Sequence, residues 1–318
     1  MSEAAVLQEI LAVLGTRPGV RVGIGDDTAV LAADPPLLVA HDMLVEDVHF
    51  RWTTHAWADV GHAALAVNLS DIAAMGGEPI AAVVGLACPT DALRSAEVRE
   101  FYGAMEELAK ASGCSIIGGD ISRARETVVG VTVIGRMPHG LAPVLRSGAR
   151  PGQVVCVTGR LGRSAAGRLL LDDPPAHPGP HDPELIAAHK RPAPRLAAGL
   201  GLARAGVSAM MDISDGLCLD AERMALASGV CITIELDQVP IGEGVGAVAN
   251  DAGIDATELA STGGEDYELL VAIDPELMSA PGIDLVSVGT VGAGAPGLVT
   301  LRHGRPVRLP RLGWDHVG

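Results

Sequence analysis

Short apolar segments and longer amphipathic segments alternate along most of this chain, which restricts it to few architectures. The run IAAVVGLAC (80–88) predicts a buried strand, whereas the segment from about Trp57 to Met75 predicts a helix. In the second half, the strand VVCVTG, the turn GRLGRS and the helix AAGRLLL form a βα unit. Strands that alternate with helices indicate the α/β class.

A stretch rich in proline and glycine, residues 138–153, interrupts this alternation. The chain has 318 residues, and such a length favours about two domains of ~150 residues each. We therefore predict domains at 1–137 and 138–318. A second cluster of prolines, from Pro174 to Pro183, predicts an exposed loop. Two further predictions are an opening helix in MSEAAVLQEILAVLG and a closing hairpin that turns at His303 and Gly304.

The charge balance excludes some partners. Acidic residues outnumber basic ones by 39 to 23, for a formal charge of −16. Such a surface repels polyanions, so we expect no nucleic-acid partner. No apolar run approaches the ~20 residues that span a bilayer, so we expect no membrane segment.

Lysine is rare, and its positions exclude two kinds of ATP site. Lys110 and Lys190 are the only lysines in the sequence. Neither follows the glycine loop of a Walker A motif nor lies on a strand like the protein-kinase lysine. Any phosphate ligand must therefore find its positive charge elsewhere.

Five cysteines without C-x-x-C spacing predict reduced core thiols rather than disulfides or a zinc site. Together with the acidic rather than basic start of the chain, they favour a cytoplasmic protein. The pattern G-x-G-x-x-G at Gly292, Gly294 and Gly297 is not interpreted as a dinucleotide site, because Pro296 and a strand-like segment replace the required helix.

The most informative signal is aspartate within apolar sequence. In ALAVNLSDIAAMGG, Asn68 and Asp71 lie on one helical face surrounded by apolar residues. A buried carboxylate is costly unless it is paired with an arginine or binds a cation, and both alternatives stay open for Asp71 alone. Similar placements recur at strand ends and helix starts, at Asp26, Asp42, Asp120, Asp212 and Asp215. Several converging carboxylates imply a hard cation, Mg²⁺ or Mn²⁺, whereas a single one, such as Asp215, is commonly a helix cap.

Glycines accompany these acids, as in Gly118-Gly119-Asp120 and Gly263-Gly264-Glu265. Glycine lets backbone N–H groups approach a phosphate closely, although each such site alone is more often a turn. Acids and glycines without a Walker lysine predict an ATP polyphosphate held by metal ions.

The motifs GIGDDTAVL, HDMLVEDVHF, AVNLSDIAAMGGEP, GGDISR, LRSGARPGQVVCVTG, MMDISDGLCLD, STGGEDYELL and GWDH occur in order. Together they resemble the bacterial thiamine-monophosphate kinases of the aminoimidazole-ribonucleotide-synthetase-like superfamily. The resemblance implies a two-domain PurM-like fold: an α+β N-terminal half whose sheet joins a partner's in a homodimer barrel, and a C-terminal α/β domain. It also implies Mg²⁺-dependent transfer of the ATP γ-phosphoryl group to thiamine monophosphate, giving thiamine diphosphate.

The resemblance also assigns residues by matching position. The implied metal ligands are Asp26, Asp42, Asp71, Asp120, Asp212 and Asp215, while Asp27 completes a doublet without a firm assignment. The implied nucleotide contacts are Gly119, Asp120, Arg146 and Ser214, and the thiamine-monophosphate contacts are His49, Glu265 and Trp314. Arg146, Asp71 and Asp212 are expected to carry catalysis.

Each of these assignments has a structural alternative. Arg146 in the interdomain segment could stabilise charge on the transferred group, or be a solvated linker residue. Trp314 suits a cationic or aromatic ring, yet most aromatics pack in cores. Glu265 could accept from an aminopyrimidine or face solvent, and a lone histidine such as His49 is commonly structural.

One motif departs from the family pattern. Ala40 and His41 precede Asp42 where the family commonly has hydroxyl residues. Imidazole is a softer ligand than Mg²⁺ prefers, so neither residue is placed in the site. Two alternatives to the kinase remain: another ATP-using enzyme of the superfamily, and a nonenzymatic sensor of nucleotide or thiamine phosphate.

Overall fold

The structure is a computed structural model that describes residues 20–22, 26–90, 92, 94–279 and 284–314. The predicted opening helix lies outside these residues. Within them are two mixed sheets, each with helices packed on it. The α/β class predicted from the alternating pattern is confirmed.

The first sheet has six strands in the order β1-β2-β3-β6-β4-β5, in which β4 and β5 are parallel and the other neighbours antiparallel. The strands are β1 Val20–Val22, β2 Ala29–Leu31, β3 Leu37–Val45, β4 Glu78–Cys88, β5 Ser115–Arg123 and β6 Val128–Arg136. Helix α1, Trp57–Ala74, contacts β3, β4 and β6, and helix α2, Ser95–Ser112, packs on α1.

Buried Leu38, Val84 and Val131 from three strands meet Leu65 and Leu69 of α1 in one apolar core. The N-terminal half is therefore a sheet with one face buried by helices, the α+β arrangement that was expected.

The second sheet has seven strands in the order β13-β12-β9-β11-β7-β10-β8. Its strands are β7 Val154–Val157, β8 Ala209–Asp212, β9 Cys231–Glu235, β10 Leu269–Ile273, β11 Val286–Gly292, β12 Gly297–Arg302 and β13 Arg305–Pro306. The helices of this half are α3 Arg163–Asp172, α4 Asp182–Lys190, α5 Leu196–Ala205, α6 Leu217–Ser228, α7 Val245–Asp251 and α8 Ala256–Thr262.

Helix α1 also contacts α5 and β8 of the second half. Glycine makes this approach close: a Cβ at Gly199 of α5 would lie 2.0 Å from the carbonyl oxygen of Ala73, and one at Gly76 would lie 2.4 Å from the Cβ of Ala203. The two halves are thus packed backbone to backbone beside the helix that carries Asp71.

Most predicted elements are confirmed. The helix predicted from Trp57 to Met75 spans Trp57–Ala74, and the closing hairpin is formed by β12 and β13 around His303 and Gly304. A strand, β12, begins at Gly297, so the rejection of the dinucleotide motif is also confirmed. The proline cluster is exposed from Pro174 to His177, but α4 begins at Asp182 and takes Pro183 into its first turn, where proline needs no N–H partner. No helix within the described ranges is long and apolar enough to cross a membrane.

Candidate active site

A cavity of about 850 Å³ lies where the two halves meet. Five of the predicted metal ligands line it, namely Asp26, Asp42, Asp71, Asp212 and Asp215. Five other predicted site residues do so as well: His49, Arg146, Ser214, Glu265 and Trp314. Gly119 and Asp120 are not among its lining residues. The fold therefore gathers ten of the twelve predicted positions around one space.

Three carboxylates form the tightest group in this cavity. Asp27 precedes β2, Asp71 lies on α1 and Asp212 ends β8, and each offers an oxygen within 4.8 Å of the others. This group includes Asp27 rather than Asp26. Adjacent acids in a sequence look equivalent, and only the backbone path into β2 distinguishes which one points into the cluster.

The cluster raises the pKa of its own members. Burial raises the pKa of Asp212 to about 6, and the neighbouring Asp42 adds to the rise against the hydrogen bond from Ser70. Burial, followed by the repulsion of Asp42 and Asp212, raises the pKa of Asp71 well above its usual range. The pKa of Asp27 is raised likewise by burial, against the attraction of Arg146. Such carboxylates bind a cation readily, because the cation removes the repulsion that disfavours their charged forms.

Arg146 opens a short 3₁₀ turn in the segment between the two halves, and its guanidinium contacts this cluster. Its Nη2 donates to Asp27 Oδ1 over 2.8 Å, and its backbone N–H donates to Asp26 Oδ2 over 3.3 Å. Only 17% of its side chain is exposed. Arg146 is therefore a buried partner of the acidic cluster and not a solvated linker residue.

Polar residues of α1 orient the acids. Ser70 Oγ donates to Asp212 Oδ2 over 2.6 Å, which ties the helix to β8. Asn68 accepts from the backbone N–H of Asp42 over 2.9 Å and donates to the carbonyl of Ala64. Among the described residues, no arginine forms an ion pair with Asp71. The alternative in which Asp71 is a core carboxylate paired with an arginine is therefore not observed.

Asp215 lies at the start of α6, but it does not cap that helix by a side-chain hydrogen bond. Its carboxylate accepts from Arg223, and the buried Asp220 accepts the backbone N–H groups of Asp215 and Gly216, each over 3.1 Å. Arg223 also donates to Asp220 over 3.1 Å. Asp220 thus holds the loop that carries Asp215. Asp220 is the last residue of the motif MMDISDGLCLD, and its role was not predicted from the sequence.

Glu265 and Trp314 line the same cavity. Glu265 precedes β10 rather than lying in it, with a left-handed backbone (φ 58°) and an N–H that donates to the Ser214 carbonyl over 2.7 Å. His189 Nδ1 lies 3.4 Å from Glu265 Oε2. Trp314 donates its backbone N–H to the Asp215 carbonyl over 3.0 Å, and Arg168 lies 6.0 Å above its ring. His49 Nδ1 accepts the N–H of Val45 over 3.1 Å, which leaves its proton on Nε2.

Asp120 and Gly119 occupy a different place from the cavity. They lie on β5, the edge strand of the first sheet, where Asp120 is exposed and accepts from Ser122 over 2.8 Å. A Cβ at Gly119 would lie 1.9 Å from the Val84 carbonyl oxygen, so the close approach of β4 requires glycine there. Within one chain, these two residues do not join the other predicted ligands.

His41, which departs from the family pattern, contacts Thr132 Oγ1 over 2.9 Å through Nδ1. His189, Arg168 and Arg223 are lining residues that the motifs did not single out. The contacts of His189 with Glu265 and of Arg168 with Trp314 join residues far apart in sequence, whereas Arg223 lies three residues after Asp220 on α6.

Comparison with known proteins gives a consistent family. The N-terminal domain model of AIR synthase related proteins matches residues 25–137, and the C-terminal domain model matches residues 150–295. The chain is 42% identical to a thiamine-monophosphate kinase of Bacillus subtilis over 81% of this chain and 79% of that protein. It is 34% identical to that of Escherichia coli over 96% of this chain and 94% of that protein.

A solved structure described as AaThiL complexed with AMPPCP and TMP matches with a TM-score of 0.89 and 33% identity, over 99% of this chain and 97% of that one. The PurM-like fold predicted from the motifs is confirmed by these matches. The chain belongs to the thiamine-monophosphate kinase family of the AIR synthase related proteins.

Proposed function

We propose that this chain transfers the γ-phosphoryl group of ATP directly to thiamine monophosphate and forms thiamine diphosphate. The observation that carries the proposal is one cavity lined by an acidic cluster and Arg146 together with Glu265 and Trp314. Family membership and the relative complexed with AMPPCP and TMP support the same substrates.

The reaction needs alignment more than proton transfer. A phosphate oxygen of thiamine monophosphate attacks the γ-phosphorus in line, and the bond to the leaving ADP oxygen breaks. This attacking oxygen is already anionic at neutral pH, so no strong base is required. Accordingly, the cavity's aspartates are proposed as ligands and not as proton acceptors.

The donor set fits Mg²⁺. The buried Asp27 Oδ2 has no hydrogen-bond partner within the described chain, and it belongs to the cluster with Asp71 and Asp212. Oxygen-only donors and crowded carboxylates are typical of hard divalent cations. We propose Asp27, Asp71 and Asp212 as the central ligands, with Asp26, Asp42 and Asp215 beside them. When bound, Mg²⁺ ions neutralise phosphate charge.

The protein's own groups complete the site. Arg146 can move its guanidinium from Asp27 to the transferred phosphoryl group, where a planar cation stabilises spread negative charge. Ser214 is proposed to contact the nucleotide. Glu265 is proposed to accept from the aminopyrimidine, and Trp314 and His49 to contact the same substrate.

Asp120 and Gly119 are proposed to act on the nucleotide through a homodimer. Among the described strands, β5 has a neighbour on one side only, and Ile117 and Ile121 on it are 64% and 59% exposed. Such an edge favours pairing with a second copy. We propose that this contact forms the barrel implied by the family and brings Asp120 into the metal site.

The division into domains at 1–137 and 138–318 also remains a proposal, as does a cytoplasmic location. The location is supported by five free cysteines, four of them buried.

One assay tests the function. Purified protein is incubated with ATP, Mg²⁺ and thiamine monophosphate, and thiamine diphosphate and ADP are separated by chromatography. Equal amounts of the two products are expected. Binding of both substrates without product would identify a sensor instead, and phosphorylation of free thiamine alone would also reject the proposal.

A further inference from the structure

His189 is a buried residue beside the proposed thiamine-monophosphate contacts. It lies in the last turn of α4, and 7% of its side chain is exposed. Its Nδ1 lies 3.4 Å from Glu265 Oε2 and 3.1 Å from Ser164 Oγ. The Ser164 hydroxyl hydrogen-bonds to Nδ1, and the same nitrogen faces the Glu265 carboxylate at ion-pair distance.

We infer that His189 is a positioning residue, which holds the Glu265 carboxylate in the orientation that receives thiamine monophosphate. This inference rests on the proposed function. It gives the His189 ring a role in the binding of thiamine monophosphate and not in phosphoryl transfer.

The backbone around Glu265 fixes the position of its Cα atom but not the direction of its carboxylate. Gly264, Glu265 and Tyr267 all have positive φ values, and the Glu265 N–H is bound to the Ser214 carbonyl. Two left-handed non-glycine residues in one loop are rare and locate a constrained turn. Beyond this turn, the Glu265 side chain has three rotatable bonds and 36% exposure, so it needs a partner to stay in one rotamer.

The adjacent acid faces the other way. Asp266 accepts the backbone N–H of Gly162 over 2.8 Å and that of Ser164 over 3.4 Å, at the start of α3. Ser164 then presents its hydroxyl to His189. Asp266 therefore fixes the position of Ser164, whose hydroxyl contacts the His189 imidazole. Glu265, in contrast, faces the cavity.

His189 is also anchored from the N-terminal half. The next two residues, Lys190 and Arg191, both pair with Asp59 in the first turn of α1, over 3.1 and 2.7 Å. His55 packs edge-on against the His189 ring at 5.6 Å between centroids. Contacts from both halves of the protein therefore fix the imidazole. The imidazole in turn restricts the position of the Glu265 carboxylate.

This arrangement predicts a specific kinetic effect. Losing the Nδ1 contact frees the Glu265 carboxylate, which weakens substrate binding but leaves Arg146 and the acidic cluster unchanged. The KM for thiamine monophosphate should rise about tenfold, the scale of one hydrogen bond to a charged group. The kcat should stay within about twofold of the wild type, since Arg146 and the acids are unchanged.

The test compares His189→Leu with His189→Asn, whose side-chain amide can replace the Nδ1 contact. His177→Leu, in the exposed proline cluster, is the matched control. KM and kcat are measured for each full-length variant, and thiamine-monophosphate binding is measured by calorimetry without ATP. We expect weaker binding in His189→Leu, partial recovery in His189→Asn and no change in the control.

A double-mutant cycle separates positioning from general packing. In a Glu265→Gln background, His189→Leu should add little to the loss of affinity, because the carboxylate it positions is already gone. Additive losses, an unchanged KM in His189→Leu, or a fall in kcat that parallels a lower melting temperature would overturn the inference. Failure of the proposed function is distinct, because the wild type itself would then form no thiamine diphosphate.

Discussion

Arg146 Nη2 and Asp27 Oδ1 lie 2.8 Å apart in an interior where Asp26 and Asp212 are also close to the guanidinium. Burial would lower the pKa of Arg146, but the surrounding carboxylates, Asp27 first, raise it instead. The arginine is therefore a fixed cation that partly neutralises the acidic cluster. When phosphate and metal enter, the same charge is available to the ligand.

Arg146→Ala should lower kcat on the order of 10³-fold, the scale of an arginine that stabilises a transferred phosphoryl group. Arg146→Lys should recover only part of this loss, because a point charge cannot contact Asp27 and a phosphate as a planar fork does. Steady-state rates at saturating substrates measure the effect. Arg136→Ala, which removes an exposed pair with Glu78, is the control and should stay within twofold. Equal activity of Arg146→Ala and wild type would remove Arg146 from the catalytic machinery.

Asp71→Asn should abolish Mg²⁺-dependent turnover and leave the fold intact, since amide and carboxylate are nearly the same size. Removing one of three crowded buried acids also relieves repulsion, so the metal-free variant should melt at or above the wild-type temperature. Melting curves with and without Mg²⁺ check this: the wild type gains stability from the ion and the variant gains much less. Exposed Asp173→Asn is the control. A full Mg²⁺ response in Asp71→Asn would contradict the assignment of this ligand.

The aspartates of the cavity were predictable where a carboxylate interrupts an otherwise apolar sequence. Asp71 stood out as a carboxylate in an apolar helix, and Asp42 and Asp212 lie in or at the end of apolar strands. The preference for Asp27 over Asp26 was not predictable, because the choice depends on the three-dimensional path into β2. His189 was missed for a similar reason: its partner Glu265 is brought to it only by the packing of α3 and α4.

The helices, like the aspartates, were predictable only where the local sequence pattern is strong. Helix α1 is long and strongly apolar, and its prediction is correct to within a residue at its end. Helices α4, α7 and α8 have nine residues or fewer. Helix α4 contains proline, α7 contains glycine and α8 is followed directly by Gly263, so local pattern does not distinguish them from loops. The proposed role of Asp120 requires a second chain, and one chain's periodicity cannot predict such a contact.

Ile117→Asp combined with Ile121→Asp should convert a dimer into a monomer. Both side chains are exposed on edge strand β5, and charges there oppose strand pairing. Sedimentation velocity measures the state of the full chain. Activity should fall with dissociation, because Asp120 on the same strand would lose its place in the partner's site. Leu226→Asp, at a comparably exposed position on α6, should remain a dimer. A monomeric, active wild type, or a variant that stays dimeric, would exclude this interface.

The metal-free protein should lose stability as the pH rises from about 6.5 to 8.5. Burial raises the pKa of Asp266 to about 7 and that of Asp220 to about 8, against about 3.9 for an unfolded aspartate. The folded state therefore holds more protons than the unfolded state in this window, and its free energy of unfolding falls with pH. Burial lowers the pKa of His55 to about 4, which gives the opposite slope, but only below about 6.5.

Urea unfolding at pH 6.5, 7.5 and 8.5 in the presence of a chelator measures this slope. Asp266→Asn removes one of the groups that titrate in this range, so its slope should be shallower than that of the wild type, whatever its absolute stability. Asp251→Asn, an exposed change at the end of α7, should leave the slope unaltered. A free energy of unfolding that does not fall with pH in the wild type would show that Asp220 and Asp266 are ionised in the folded protein. In this pH range a buried carboxyl that stays protonated lowers the free energy of unfolding as the pH rises, whereas one that is already ionised contributes no slope.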